Sequence, residues 1–310
     1  MPWRKTRDPY KILVSEVMLQ QTQVARVLPK YKEFLSKFPT LEKLAKAPNH
    51  KILKAWQGLG YWRRIKYLKE TAKVLMKAKA MNLQTSSRRP ASTVSAKGGV
   101  AGREHRLANF AGNLNSRSFE IPLPSDLETL PGIGPYTARA LACFAFRSTE
   151  AFVDTNIRRV YLHFFFPSTR STRSTRSQQV PKKISDKEIL PIAQKALTSI
   201  IHDRGKSMHP HLTRREWHYA LFDYGAIVLK DKSINKKSKH YAKQSKFEGS
   251  FRSFRTKVMR FLLDQQNQTA TKSRIKQLLK EAQSPYAPEK VLAALEKDGL
   301  VKKKRSSYSL

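Results

Sequence analysis

The chain has 310 residues, with 61 Lys and Arg against 23 Asp and Glu and a formal net charge of +38. So large an excess sets up a strong positive field and suits a polyanionic partner bound with a steep salt dependence, although a ribosomal-type or merely basic protein would carry it too. The single cysteine leaves no disulfide framework and no cysteine-ligated metal site, and no apolar run approaches a membrane span or a signal-peptide core.

From Asp8 to about Lys79 apolar residues recur at helical spacing: Ile12, Leu13, Val17 and Leu19, then Val24, Val27, Leu28, Tyr31, Phe34 and Leu35. Pro29, Pro39 and Pro48 punctuate the segment, and Pro39-Thr40-Leu41-Glu42 opens a new helix. Between about Gln84 and Ser118 the pattern fails. Ser86 to Pro90 and Gly98-Gly99 have little to bury, so 84–118 reads as a loop or insertion without fixed structure.

Next comes Leu130-Pro131-Gly132-Ile133-Gly134-Pro135-Tyr136-Thr137-Ala138. Pro131 and Gly132 stop a helix running from about Asp126, and Gly134 lets the chain turn tightly into the next one. The N–H groups of Gly132, Gly134 and the new helix start then face outward, an anion site that grips phosphate without reading sequence. A tight helical turn with no ligand is the plain alternative. Twenty residues after Gly134 lies Asp154, in Val153-Asp154-Thr155-Asn156.

The tandem repeat Ser168-Thr169-Arg170, Ser171-Thr172-Arg173, Ser174-Thr175-Arg176 contains nothing to bury and makes 168–182 a flexible basic linker. Helix returns from Asp186 to about Ser199 and across Arg214 to Leu229, followed by a basic connection from Lys230 to Lys246. The last part has a helix with Val258, Phe261 and Leu262 on one face, then one from Thr271 through Ile275, Leu278 and Leu279. A third starts near Pro288 with Val291, Leu292 and Leu295 and ends at Gly299. A hairpin from Leu300 to Leu310 turns at Arg305-Ser306-Ser307, and three helices with a basic hairpin read as a winged helix that binds DNA or a protein partner. The expected class is all-α, with residues 1–247 as one region and 248–310 as a winged-helix domain.

Two carboxylates stand out. Glu16 borders an apolar helix face beside Leu13, Val17 and Gln20, where half-burial would raise its pKa and let it donate a proton. The Gln20-Gln21-Thr22-Gln23 run after it offers uncharged donors and acceptors suited to base edges. By periodicity alone, a surface glutamate before a polar turn explains the same residues. Asp154 is in its simplest reading a helix N-cap, but it follows the phosphate-gripping hairpin and precedes Arg158-Arg159. An ionised Asp beside a sugar cation and a protonated Glu opposite is the two-carboxylate logic of glycosidic cleavage, here for an N-glycoside.

The residues Trp3 to Tyr10, Ser15-Glu16-Val17-Met18-Leu19-Gln20-Gln21-Thr22-Gln23-Val24, Gly58-Leu59-Gly60-Tyr61-Trp62 and the Leu130–Ala138 hairpin resemble the helix–hairpin–helix DNA glycosylases, and among them the A/G-specific adenine glycosylases. The resemblance implies that Glu16 protonates adenine and later helps activate water, that Asp154 stabilises or transiently bonds sugar C1′, and that Asn156 supports that centre. Tyr136 falls where lyase-active relatives carry a Schiff-base lysine, which implies a monofunctional glycosylase. Gln20, Gln21 and Tyr61 match residues that wedge into the stack and read the opposite base once the target is flipped, and Thr22, Gly132, Gly134 and Arg158 complete the expected DNA contacts. Trp62 is expected in the core, as is Cys143.

Three departures accompany the resemblance. Leu229 stands where the first of four iron–sulfur cysteines belongs, so no cluster and no other cofactor is expected, and the basic run Lys236 to His240 offers phosphate contacts in its place. The C-terminal part is not the nucleotide-pyrophosphatase-like domain that checks for 8-oxoguanine in such enzymes. A helix that normally precedes Trp3 is expected to be missing. The expectation is a base-excision-repair glycosylase removing adenine opposite guanine or 8-oxoguanine. It would act as a monomer on mismatched or oxidised double-stranded DNA, intracellularly (cytoplasmic and nucleoid-associated), with no membrane partner. The alternatives are a T/G-mismatch thymine glycosylase and a non-catalytic mismatch-binding protein.

Overall fold

A computed structural model describes residues 1–86, 100–110, 122–167, 183–202 and 213–310. In chain order the helices are α1 (Pro9–Leu19), α2 (Val24–Lys37), α3 (Leu41–Lys46), α4 (Asn49–Trp56), α5 (Arg63–Ser86), α6 (Val100–Phe110), α7 (Pro124–Leu127), α8 (Pro135–Phe146), α9 (Thr155–Phe165), α10 (Asp186–His202) and α11 (Arg214–Asp223). There follow α12 (Phe251–Asp264), β1 (Thr269–Thr271), α13 (Lys272–Glu281), α14 (Pro288–Lys297), β2 (Lys302–Lys304) and β3 (Ser307–Ser309). The class is all-α, as its periodicity implies, with one small sheet. Two compact units result: residues 1–133 with 244–310, and residues 134–243.

In the first unit α1 is the central rod, packed by α2 and α5, with α3 and α4 closing the same core. Trp3 meets Tyr31 edge-on at 5.2 Å, Phe34 meets Trp56 at 6.0 Å, and the Tyr10 hydroxyl donates to the Phe38 carbonyl at 2.6 Å. Pro39 and Pro48 fall between helices as expected, but Pro29 lies inside α2. The buried stripe of Val27, Tyr31 and Phe34 holds that helix across the lost N–H bond.

The expected loop at 84–118 is corrected in part. α5 reaches Ser86, and Val100–Phe110 forms a helix packed on it, burying Leu107, Ala108 and Phe110. Arg106 also grips Asp126 through two hydrogen bonds of 2.7 and 2.9 Å. Residues 87–99 and 111–121 lie outside the described residues, as does the basic linker 168–182 with its tandem repeat.

The C-terminal helices belong to the same first unit. Val258, Met259 and Leu262 of α12, Ile275 and Leu279 of α13, and Val291, Leu292 and Leu295 of α14 form their shared core. Met259 takes the inward place expected for Phe261. The hairpin β2–β3 gains a third antiparallel strand, β1, in the order β1-β3-β2, with Tyr308 opposite both Ala270 and Lys303. The order along the chain is helix, strand, two helices and hairpin. α12 packs against α4, the Trp62 indole N–H donates to Thr256 Oγ1 at 3.4 Å, and Lys66 Nζ donates to the Asp298 carbonyl at 2.9 Å. The Asp298 carboxylate, only 12% exposed, also meets Arg255 and, at 3.5 Å, Arg63.

The second unit is built on α8, whose residues from Ala140 to Phe146 are all buried. α11 packs on α8 and α9, and α10 packs on α9 and α11. Beyond Asp223 the helix expected to run to Leu229 widens into a π-turn over Tyr224–Val228. His218 stacks flat on Phe152 at 4.0 Å and 6°, its Nδ1–H donating to the Arg214 carbonyl at 2.7 Å. Cys143 is in the core as expected, its Sγ 3.8 Å from that nitrogen. No helix among the described residues is long and apolar enough to cross a membrane.

His218 is 2% exposed, and burial pulls its pKa down to about 4. The unfolded chain therefore binds the extra proton first, between the ordinary histidine value and about 4, so folding stability falls with pH across that window and levels off below it. The loss is on the order of 2–4 kcal/mol. Urea unfolding of wild type and His218→Gln between pH 7 and pH 4 should show a pH-dependent component that the variant lacks. Parallel profiles would mean that His218 is not the titrating group.

Candidate catalytic and DNA-contacting residues

α1 starts sharply because Asp8 caps it, Oδ1 accepting from the N–H groups of Tyr10 and Lys11 at 2.9 and 3.2 Å, with Pro9 in the first helical position. Every residue from Ile12 to Met18 is buried, so Glu16 (5% exposed) lies within the core rather than bordering an apolar face. An ionisable side chain so placed is costly unless it is paired or hydrogen-bonded.

The other end of α1 is capped from a different helix. The Arg64 guanidinium at the start of α5 is buried, and Nη1 donates to the carbonyls of Val17 and Met18, each at 2.9 Å, and to that of Gln20. Its Nη2 donates to Thr22 Oγ1 at 3.0 Å and to the Leu59 and Gly60 carbonyls at 2.9 and 3.2 Å. Burial pulls Arg64 down to about 10, which leaves it charged at neutral pH. Of the residues expected to face DNA, Thr22 thus has its hydroxyl inside this network, while Gln20 is the half-buried C-cap. Gln21 is exposed, with φ at +56°. Tyr61 is half-buried with φ at +47°, a left-handed conformation that costs a tyrosine energy. Trp62 is core, as expected.

Gln20, Tyr61, Tyr67 and Gly132 line one pocket of about 880 Å³ in the first unit, together with Arg252 and Ser250 at the start of α12. The turn before the unit boundary corrects one expectation: φ is +72° at Gly132, whereas Gly134 is extended at −96°. Gly132 also has no room for a side chain, because a Cβ there would stand 2.7 Å from Tyr67 Cβ. The Thr71 hydroxyl donates to the Pro131 carbonyl at 2.9 Å and fixes the turn to α5.

In the second unit Gly134 is the N-cap of α8, its carbonyl accepting from the Ala138 N–H at 2.9 Å, and Pro135 is the first helical residue. Tyr136 follows, half-buried, its ring edge-on to Phe152 at 5.7 Å in a pocket of about 500 Å³. Asp154 caps α9: Oδ1 accepts from the N–H groups of Asn156 and Ile157 at 2.9 and 2.7 Å, and Asn156 Nδ2 donates to Oδ2 at 3.3 Å. Desolvation pushes its pKa above the ordinary aspartate value, against the pull of those N–H bonds and of Arg158 and Arg159. The cap and the candidate catalytic group are one residue. Arg158, expected at DNA, is paired with Asp186 through bonds of 2.7 and 2.8 Å.

Three positioning elements went unnoticed in the sequence. Arg64 falls in phase with the buried Leu68, Thr71 and Leu75, a helical period that signals its burial. Gly225, in the Tyr224-Gly225-Ala226 interruption, lets the π-turn approach the Asn156 carbonyl so closely that a Cβ would overlap it, while its own carbonyl accepts from Arg159. Arg252 and Gln244 both donate to the Tyr61 hydroxyl, and no motif marks them.

This set of residues belongs to a known class. A family model described as HhH-GPD superfamily base excision DNA repair protein matches residues 14–185, more than half of the chain, and the chain belongs to that superfamily. Its curated relatives include the adenine DNA glycosylase of Mycobacterium tuberculosis (strain CDC 1551 / Oshkosh), 38% identical over 164 residues, which are 52% of this chain and 41% of that protein. The adenine DNA glycosylase of Buchnera aphidicola subsp. Baizongia pistaciae is 28% identical over 228 residues, 74% of this chain and 48% of that one. The chain thus spans less than half the length of either relative. A solved structure of a thermostable thymine-DNA glycosylase superposes with a TM-score of 0.47 at 24% identity, over 78% of this chain and 88% of that one.

Gly225→Ala tests the close approach at Asn156. The methyl group must push the π-turn from the backbone of α9, so the variant should lose about 1–3 kcal/mol in urea unfolding. A change under about 0.5 kcal/mol would show that the two segments separate freely.

Proposed function

We propose that the protein is a monofunctional DNA N-glycosylase that removes adenine mispaired with guanine or 8-oxoguanine. The observation that carries this reading is the placement of the two carboxyl groups marked by the resemblance: Glu16 buried within α1, and Asp154, half-buried, held by the N–H groups at the cap of α9. Adenine leaves the duplex at a cost of a few kcal/mol, which phosphate contacts and residues entering the stack must offset. The positive end of the α8 dipole suits a phosphate.

Glu16 protonates the adenine ring, the bond from ring nitrogen to C1′ breaks, and Asp154 stabilises the sugar cation or transiently bonds C1′. Water then adds hydroxide to C1′, and its proton returns to Glu16. Asn156, donating to Asp154 Oδ2, leaves the carboxylate one orientation. Tyr136 supplies no amine, so no Schiff base forms and the strand is not cut. The protein acts as a monomer on mismatched or oxidised duplex DNA, in the compartment that holds it.

The iron–sulfur cluster brought by the resemblance does not fit this chain. Its one cysteine is buried in α8, and the segment after α11 has other supports. Arg159 Nε donates to Asn235 Oδ1 at 3.2 Å, Lys237 Nζ donates to the Phe166 carbonyl at 2.9 Å, and Ile184 bridges Ser238. The reading therefore includes no cofactor.

Single-turnover base release on duplexes with adenine opposite 8-oxoguanine, adenine opposite guanine, and thymine opposite guanine decides the matter. Wild type should release adenine. Glu16→Gln and Asp154→Asn should each lose at least about 100-fold while duplex affinity changes only a few fold. Thymine release instead would make this a thymine glycosylase, and mismatch binding without release would make it a non-catalytic protein.

A further inference from the structure

Tyr61 is held more elaborately than packing requires. Its φ of +47° follows Gly60 at +67°, so the turn presents the ring in a conformation that only surrounding contacts can maintain. Two guanidinium groups flank the ring, Arg64 with Cζ at 5.5 Å and Arg252 with Cζ at 4.9 Å from its centroid. The hydroxyl accepts from Arg252 Nη1 and from Gln244 Nε2. Both its lone pairs are thereby engaged, and what it has left to offer is its own proton.

Arg252 is itself fixed by the C-terminal part of the chain. Its Nη2 donates to the Ser245 carbonyl at 3.3 Å, and its Cζ lies 5.6 Å from the Phe247 ring centroid. It occupies the second position of α12, where a cation opposes the positive end of the helix dipole, and the first turn contains no acidic residue to offset this. Attachment of the C-terminal helices does not need it, because Trp62–Thr256, Lys66–Asp298 and Arg63–Asp298 already tie them to α5 and its preceding turn. The residue accepts an electrostatic cost in order to reach Tyr61. Both side chains line the pocket of about 880 Å³ with Gln20 and Gly132, a volume in the range of small-molecule and nucleotide sites.

We infer that Arg252 is a positioning residue for Tyr61, and that through it the C-terminal helices set how strictly the enzyme discriminates the base opposite its target. The inference rests on the proposed role of Tyr61 in entering the base stack.

A double-mutant cycle on the full chain tests it, with Arg252→Met, Tyr61→Ala and the pair. Three quantities are read: single-turnover adenine release opposite guanine and opposite cytosine, fluorescence of a 2-aminopurine beside the target on binding, and melting temperature. Arg252→Met should slow release opposite guanine by about tenfold and narrow the guanine-to-cytosine ratio, with the melting temperature within about 2 °C. In the Tyr61→Ala background it should have no further effect. Equal losses in both backgrounds, with a salt slope lower by about one, would make Arg252 a phosphate contact and overturn the inference. Wild-type rates in Arg252→Met beside a slow Tyr61→Ala would overturn it while leaving the role of Tyr61 intact. Unchanged release and unchanged fluorescence in Tyr61→Ala would instead overturn that role, and the inference with it. The fluorescence reads base unstacking even if no base is released, so failure of the glycosylase reading stays separate.

Discussion

The buried guanidinium of Arg64 is the contact on which the first unit depends. A helix ends with carbonyls that lack intrahelical donors and with the negative pole of its dipole, and α1 ends inside the protein, where water cannot serve them. α1 has no basic residue in its own last turn. Arg64 fills that role from the start of α5 and joins the end of α1, Thr22, and the Leu59–Gly60 turn around one charge. The register of Glu16 in the core and the presentation of Tyr61 follow from the same six acceptors. A neutral side chain here would leave them orphaned in a place where each is expensive to leave unmet.

The fold was legible where burial has a period. The helices of the first 80 or so residues and the C-terminal helices come from apolar spacing and from proline and glycine punctuation. It was less legible where tertiary packing overrides a local signal. Pro29 reads as a boundary yet lies within a helix, and the polar run before Val100 obscured Leu107, Ala108 and Phe110, whose apolar face is short. β1 was missed for a different reason. Three residues of Thr-Ala-Thr hold no alternation, and their strand exists only because β3 offers an edge.

The site divides along the same line. The candidate residues Glu16, Asp154 and Tyr136 and the Gly132 turn are marked by residue type and order. Their supports are marked less plainly. Only its helical phase with Leu68, Thr71 and Leu75 separates the buried Arg64 from the outward Arg63, its acceptors have no local sign, and nothing local connects Gly225 to the Asn156 carbonyl. Such contacts belong to pairs of distant residues, so they become visible only when the chain is folded. The same holds for Arg158, which reads as a free cation and is instead committed to Asp186 at the start of α10.

The two units are also unequal in the way they use the chain. Residues 134–243 form one uninterrupted unit, while the other is assembled from 1–133 and 244–310. A chain growing from its N-terminus therefore holds every residue of the inner unit once Lys243 has emerged, whereas the outer one still lacks three helices. The contacts that close it join Trp62 to Thr256 across 194 residues and Lys66 to Asp298 across 232. Closures of that span are entropically late events. During synthesis α4 and the Trp62 indole wait uncovered, and apolar surface left open in that interval favours aggregation.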